Sequence, residues 1–421
     1  MALEQVFECP RTLAKLRSGP LGKLLEGFCQ WLLKWGFGRG SIRTHLANVS
    51  HLNVHLGGPK APLHETITAK DVEGFFRVFP SRCRNRRSRE EYTRRVRFSV
   101  RRFLAYLREE GRFDPLVPPP IYQPLRVAYL EWMRHYQHAA DGTLAVRAHS
   151  ISAFLQWLGP QATAEGLSEL SAARIEQFFI TYAQGAGRTA RRSMQSALRT
   201  FLRFCLHAGF IRQRLDLAVP TLRTYKLSTV PRGLSEVQAR KVLESVDHRS
   251  IAGRRDYAIL QLLHTYGVRG GQVRALRLAD VHWAEDQILF RALKNGKDSL
   301  LPLTTAVGES LLNYLQNARP HGAWPEVFLT CRAPYHPLAD SHCLSEIVRR
   351  HIQFTGIDVP SKGSHVFRHG FATRMVAEGH SLKAVADVLG HRHLATTFIY
   401  TKVDFNALKQ VALDWPEEVS A

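Results

Sequence analysis

The first 220 residues carry one helical pattern twice, and nothing else in the chain constrains the fold as much. The first copy runs FCQWLLKW, HLNVHLG, TAKDVEGFF and RRFLAYLREEGRF; the second runs YLEWMRHY, FLQWLG, SAARIEQFF and RTFLRFCLHAGF. Trp31 matches Trp132, Gly57 matches Gly159, Phe76 matches Phe179 and Gly111 matches Gly209, at offsets near 100 residues. In each copy apolar residues recur at i, i+3 and i+4, as in Phe103, Leu104 and Leu107, the period of an amphipathic helix. Thr68 and Ser171 each stand before a short helix as its N-cap. Two small helical units are expected, about 1–114 and 121–220, hinged at the proline-rich LVPPPIYQP. An extended basic linker, 221–233, leads into a third unit, 234–421. That unit opens with Ser235 and Gln238 in a capping-box pattern. Within it QILFRAL and SLLPL flank Lys294-Asn295-Gly296-Lys297, and Asn-Gly between apolar runs predicts a two-residue hairpin. The expected fold class is mainly α, with a small β-hairpin or sheet in the C-terminal domain.

Charge narrows the function. The chain has 58 Lys+Arg against 36 Asp+Glu, a net charge of +22, of which +19 falls in the first 233 residues. A balance so one-sided points to a polyanionic partner, most often nucleic acid. Arginine outnumbers lysine 45 to 13, and its fork suits phosphate oxygens. No run approaches 18 apolar residues, so no membrane span is expected. MALEQVFECP lacks a basic stretch before an apolar core and does not read as a signal peptide. Cys9, Cys29, Cys83, Cys205, Cys331 and Cys343 show no CxxC pair and no regular spacing, as expected of reduced thiols in the cytoplasm.

The C-terminal unit holds an ordered set of reactive residues. It begins with Tyr266-Gly267-Val268-Arg269 and continues with Lys294, then Ser364-His365-Val366-Phe367-Arg368-His369. It ends with Leu389-Gly390-His391 and, nine residues later, Tyr400. His365 and Arg368 are three apart and share a helix face, presenting an imidazole and a guanidinium to one anion. Val366 stands where a zinc-protease helix carries glutamate, so the His365/His369 pair does not read as a metal site. Two arginines, a lysine, histidines and a late tyrosine suit nucleophilic attack on a phosphodiester without metal ligands.

These residues resemble the tyrosine recombinase family, which includes phage integrases. The matching stretches are YGVRGGQVRALRLADV, LKNGKDSLLPL, SHVFRHGFATRM and VLGHRHLATTFIYTKV, spanning about 266–403. The unit at 121–220 is similar to that family's core-binding domain; the unit at 1–114 lies beyond its common two-domain pattern. The resemblance implies a site-specific recombinase or integrase of a mobile element, acting on double-stranded DNA and self-associating on it in a tetrameric synapse, with no cofactor. Tyr400 would be the nucleophile that forms a 3′-phosphotyrosine and frees a 5′-hydroxyl. Arg269 and Arg368 would clamp the scissile phosphate, and Lys294 would protonate the leaving 5′-oxygen. His365 would assist proton transfer from the tyrosine, His391 would hydrogen-bond a phosphate oxygen, and residues after Asp404 would dock on a neighbouring protomer. The basic N-terminal units would wrap the duplex. Alternatives are a type IB topoisomerase-like activity and a non-catalytic DNA-binding accessory protein on the same fold. Two departures stand out. Gln272 occupies a position that is usually acidic, and the lysine loop lacks glycine on both sides of Lys294, leaving Lys297 as a second candidate acid.

Overall fold

The computed structural model describes residues 1–58, 66–79, 89–114, 119–222, 232–293, 298–339, 341–359, 362–391 and 396–403. The helical period of the N-terminal sequence becomes helices α1 (Pro10–Arg17), α2 (Gly22–Lys34), α3 (Arg39–His55), α4 (Ala69–Val78) and α5 (Arg89–Glu109). Their apolar faces close one core around Phe28, Leu46, Phe75, Val100 and Phe103. Thr68 accepts from the Asp71 N–H and Asp71 returns the bond, a complete capping box for α4. Short strands β1 (Ile67–Thr68) and β2 (Phe113–Asp114) pair in parallel beside it.

The second copy gives α6 (Gln123–Gln137), α7 (Asp141–Leu158), the single turn α8 (Ala164–Leu167), α9 (Ala172–Gly185) and α10 (Arg188–His207). In sequence order α2, α3, α4 and α5 answer to α6, α7, α9 and α10. Ser171 caps α9 through the Arg174 N–H. Tyr129, Phe154, Ile175 and Phe201 form a separate core. By its internal contacts the chain divides into two compact units: Pro115–Lys226, and Met1–Asp114 together with Leu227–Ala421. Most of the expected linker, 223–231, lies outside the described residues.

Beyond it come α11 (Glu236–Glu244), α12 (Ile251–Tyr266), α13 (Gly270–Arg274), α14 (Thr305–Asn317), α15 (Ser341–Phe354), α16 (His365–Ala377) and α17 (Leu382–Leu389). Ser235 and Gln238 form the capping box of α11. α12 is buried nearly all round and packs on α14 and α16, so it serves as the axis of this domain. The chain enters by laying Gly233 and Leu234 against Gly370 of α16; a Cβ on either glycine would strike the other segment's backbone. Among the described residues, no helix is long and apolar enough to cross a membrane.

Strands β3 (Val281–His282), β4 (Gln287–Phe290) and β5 (Ser299–Pro302) make a three-stranded antiparallel sheet, so the fold is mainly α with a small β element in the C-terminal domain. The register corrects one expectation. A two-residue Asn-Gly turn with Lys294 opposite Lys297 would place Phe290 opposite Leu301, but Phe290 pairs with Ser299. Beyond the paired residues Ala292 N–H is bonded to Asp298 Oδ1 at 2.8 Å, while the Asn-Gly turn itself, within 294–297, lies outside the described residues. A slip of two residues leaves every side chain on its own face, so the alternation of apolar residues could not choose between these registers.

Candidate active site

Two helix ends build the site. α12 terminates at Gly267, whose left-handed φ of +59° turns the chain sharply and frees its carbonyl. A side chain there would meet the ring of Phe371. α17 ends the same way at Gly390. Both ends carry the negative pole of a helix dipole and unpaired carbonyls. Two arginines occupy them. Arg368 donates from Nη1 to Gly267 O at 3.1 Å and from Nη2 to Leu389 O at 2.8 Å. Arg269, the residue before α13, points its guanidinium at Leu389 O and Gly390 O at 3.4–3.5 Å.

Arg368 is only 4% exposed, yet among the described residues neither arginine has a carboxylate partner. Burial, and then the like charge of Arg269, push the Arg368 pKa down to about 10. Helix ends supply partial charge only, so the pair remains short of a full anion. That is the electrostatic signature of a site built to receive one.

The imidazoles surround this pair. His391 places Nδ1 2.7 Å from Thr397 Oγ1. Burial, with Arg368 and Arg269 beside it, lowers its pKa to about 4. His365, at the first turn of α16, is exposed, yet partial desolvation and the same two arginines hold its pKa below the usual value. Tyr400 lies on a 3₁₀ turn, Phe398–Val403, and is 2% exposed. It packs in a small second core with Ala372, Val376, Val385 and Leu389. Burial raises its pKa, and Arg368 draws it partly back.

Of the residues singled out from the sequence, Arg269, His365, Arg368, His391 and Tyr400 are brought together at this site. Lys294 and Lys297 lie outside the described residues. Gln272 has a definite part: its Oε1 accepts the Arg269 N–H at 3.2 Å and its Nε2 donates to Arg291 O at 3.4 Å. It holds the Arg269 backbone rather than its guanidinium. His369 received no role from the sequence, yet its Nδ1 is 2.9 Å from the Tyr400 hydroxyl. A signal was present, because His369 is one turn from His365 on the same helix face. Thr397 and the three carbonyls announce themselves through no residue type.

Residues 232–407 match the phage integrase family. Over 413 residues the chain is 31% identical to a Sinorhizobium fredii protein named as an integrase/recombinase, covering 96% of this chain and 97% of that one. It is 25% identical over 296 residues to the tyrosine recombinase XerC of Bacillus pumilus, covering 67% of this chain and 92% of the relative. Among solved structures, a lambda integrase dimer bound to a COC′ core site aligns with 70% of this chain and 98% of its own, at 16% identity and a TM-score of 0.52. That likeness is one of fold.

Proposed function

Since this chain belongs to the phage integrase family of tyrosine recombinases, and so is an enzyme that cuts and rejoins DNA, we propose that it acts through a 3′-phosphotyrosine intermediate on Tyr400. The observation that carries the reading is the pair of guanidiniums held on helix ends with no carboxylate partner among the described residues, beside a tyrosine hydroxyl. Attack on a phosphodiester concentrates negative charge on the non-bridging oxygens, and preformed cationic donors stabilise that charge without reorganisation. Arg269 and Arg368 hold the scissile phosphate, and His391 hydrogen-bonds one of its oxygens. His365 assists proton transfer. Lys294 protonates the departing 5′-oxygen. Rejoining is the same path reversed, with a 5′-hydroxyl attacking the phosphotyrosine.

The role we propose is that of a mobile-element integrase working as a tetrameric synapse on double-stranded DNA in the cytoplasm. The match to the Sinorhizobium fredii protein supports the first part: it runs through the N-terminal helices, whereas the match to XerC covers 67% of the chain. The residues after Asp404, expected to dock on a neighbouring protomer, lie outside the described residues.

The decisive test is a nicked duplex that traps the covalent intermediate. Tyr400→Phe removes one oxygen from a well-packed ring. The variant is expected to bind the duplex as the parent does and to form no protein–DNA adduct. An adduct that survives the substitution places the nucleophile elsewhere.

A further inference from the structure

Among the described residues, the site contains one imidazole that the proposed chemistry does not yet use, and it is the one in contact with the tyrosine. We propose that His369 is a catalytic residue that accepts the Tyr400 proton as the phenol attacks phosphorus. The inference rests on Tyr400 being the nucleophile.

Three observations carry it. The first is contact: the Tyr400 hydroxyl lies 2.9 Å from His369 Nδ1, with the ring centroids 5.8 Å apart. Among the described residues His365 makes no side-chain hydrogen bond, and its ring centroid is 6.3 Å from that of His369. The second is placement. His369 is anchored on α16 directly after Arg368, so the group that holds the phosphate and the group that takes the proton are set by one rigid turn. Tyr400 is buried in a cluster with Ala372, Val376 and Leu389, which holds its ring in place beside α16. The third is protonation state. Burial, then His365 and Arg368, hold the His369 pKa below the usual value, leaving the ring neutral at pH 7. Among the described residues, the groups that face this ring are His365 and Arg368 on its own helix, Tyr400 on the 3₁₀ turn, and His391 after α17. In the neutral tautomer with the proton on Nε2, Nδ1 offers a lone pair and the tyrosine O–H donates to it.

The step balances as follows. The Tyr400 O–H bond breaks, with its proton passing to His369 Nδ1 and its electron pair forming the new O–P bond. The P–O5′ bond breaks, and the leaving oxygen keeps that pair and takes a proton from the lysine. The imidazolium formed beside Arg368 is disfavoured by like charge, which drives the proton back to the tyrosine oxygen when the 5′-hydroxyl later attacks. The same histidine therefore serves cleavage and rejoining.

The test measures single-turnover adduct formation on a nicked duplex with the full-length protein, alongside duplex binding and thermal melting. His369→Ala is expected to slow the adduct roughly 10²–10⁴-fold with little change in binding. His369→Asn keeps a hydrogen-bond partner where Nδ1 stood but cannot take the proton, and is expected to be slow to a similar extent. Placing difluorotyrosine at position 400, whose phenol ionises at lower pH, should recover much of the His369→Asn rate at pH 8–9. Parent-like rates in His369→Asn would reduce the residue to a prop and overturn the proposal, as would slow variants that difluorotyrosine does not rescue. If Tyr400→Phe still forms an adduct, the underlying reading fails instead, so the two failures are separable.

Discussion

Two buried arginines sit in the same domain and live under opposite rules. Arg255, on α12, is 8% exposed and donates from Nε and Nη2 to Oδ1 of Asp256, itself 1% exposed, at 2.8–3.0 Å. Asp256 also receives Arg350 and lies 3.2 Å from His351, both on α15, so the network ties α12 to α15. Burial works against the Arg255 charge, but Asp256 outweighs it and the guanidinium pKa rises. Arg368 is buried to a similar degree, has backbone carbonyls instead of a carboxylate as partners among the described residues, and has its pKa pushed down. A buried arginine with an acid closes a structure. A buried arginine given only helix ends is left with charge to offer a ligand.

The comparison breaks most readily at Asp256. Burial raises the Asp256 pKa, but His351, Arg255 and Arg350 outweigh it, and the carboxyl sits below the usual range. Asp256→Ala strands Arg255 in the interior, and losing one member of a buried pair typically costs about 3–5 kcal/mol. Urea unfolding should show a loss of that order. The pH dependence follows from the sign of the shift. A depressed carboxyl pKa contributes stability that is fully present above its unfolded value of about 3.9 and is lost as pH falls through the folded value. The parent should therefore show an acid-unfolding step that Asp256→Ala lacks. A loss under ~1 kcal/mol would mean that Arg255 is held by Leu329 O alone.

Arg368→Met should show the reverse. Cleavage falls roughly 10²–10³-fold, the usual cost of removing one donor from a transition-state anion. Stability changes by less than about 1 kcal/mol, because relief of an uncompensated buried charge offsets two lost carbonyl partners. A further readout sharpens the contrast. Sulfate should raise the melting temperature of the parent by binding at the guanidinium pair, and should raise that of Arg368→Met less. If Arg368→Met unfolds as severely as Asp256→Ala, both arginines are structural.

What the sequence made legible divides along the same line. The helices, the Ser235/Gln238 and Thr68 caps, and the repeated order of α2–α5 and α6–α10 followed from local patterns, since period and capping are written within a few residues. The gathering of Arg269, His365, Arg368, His391 and Tyr400 was legible only through motif resemblance, because these positions span 132 residues and no local rule joins them. The strand register was not legible, since a two-residue slip costs no change of face. Nor was the choice between His365 and His369 as the neighbour of Tyr400. Both lie on one helix face, and only the packing of the 3₁₀ turn against α16 decides between them. The Arg255–Asp256 network was hidden because adjacent opposite charges usually sit on a solvated surface.

The smallest expected effect comes from Gln272, where a carboxylate can be brought to the site in place of an amide. Gln272 is buried and uses both ends of that amide, accepting from Arg269 N–H and donating to Arg291 O. In Gln272→Glu the accepting end is retained and strengthened by charge. The donating end is replaced by an oxygen that faces the Arg291 carbonyl, and the side chain of Arg291 is already committed to Asp280 at 2.6–2.8 Å. A buried oxygen left facing a carbonyl costs more than the lost hydrogen bond itself, so urea unfolding should report a loss of about 1–3 kcal/mol. The effect on the anion site should be more telling. A carboxylate one turn from Arg269 supplies part of the counter-charge that the helix ends withhold. The melting-temperature gain from sulfate should therefore shrink relative to the parent, with cleavage changed only a few-fold. An undiminished sulfate gain in Gln272→Glu would show that the deficit of negative charge belongs to Arg368 alone.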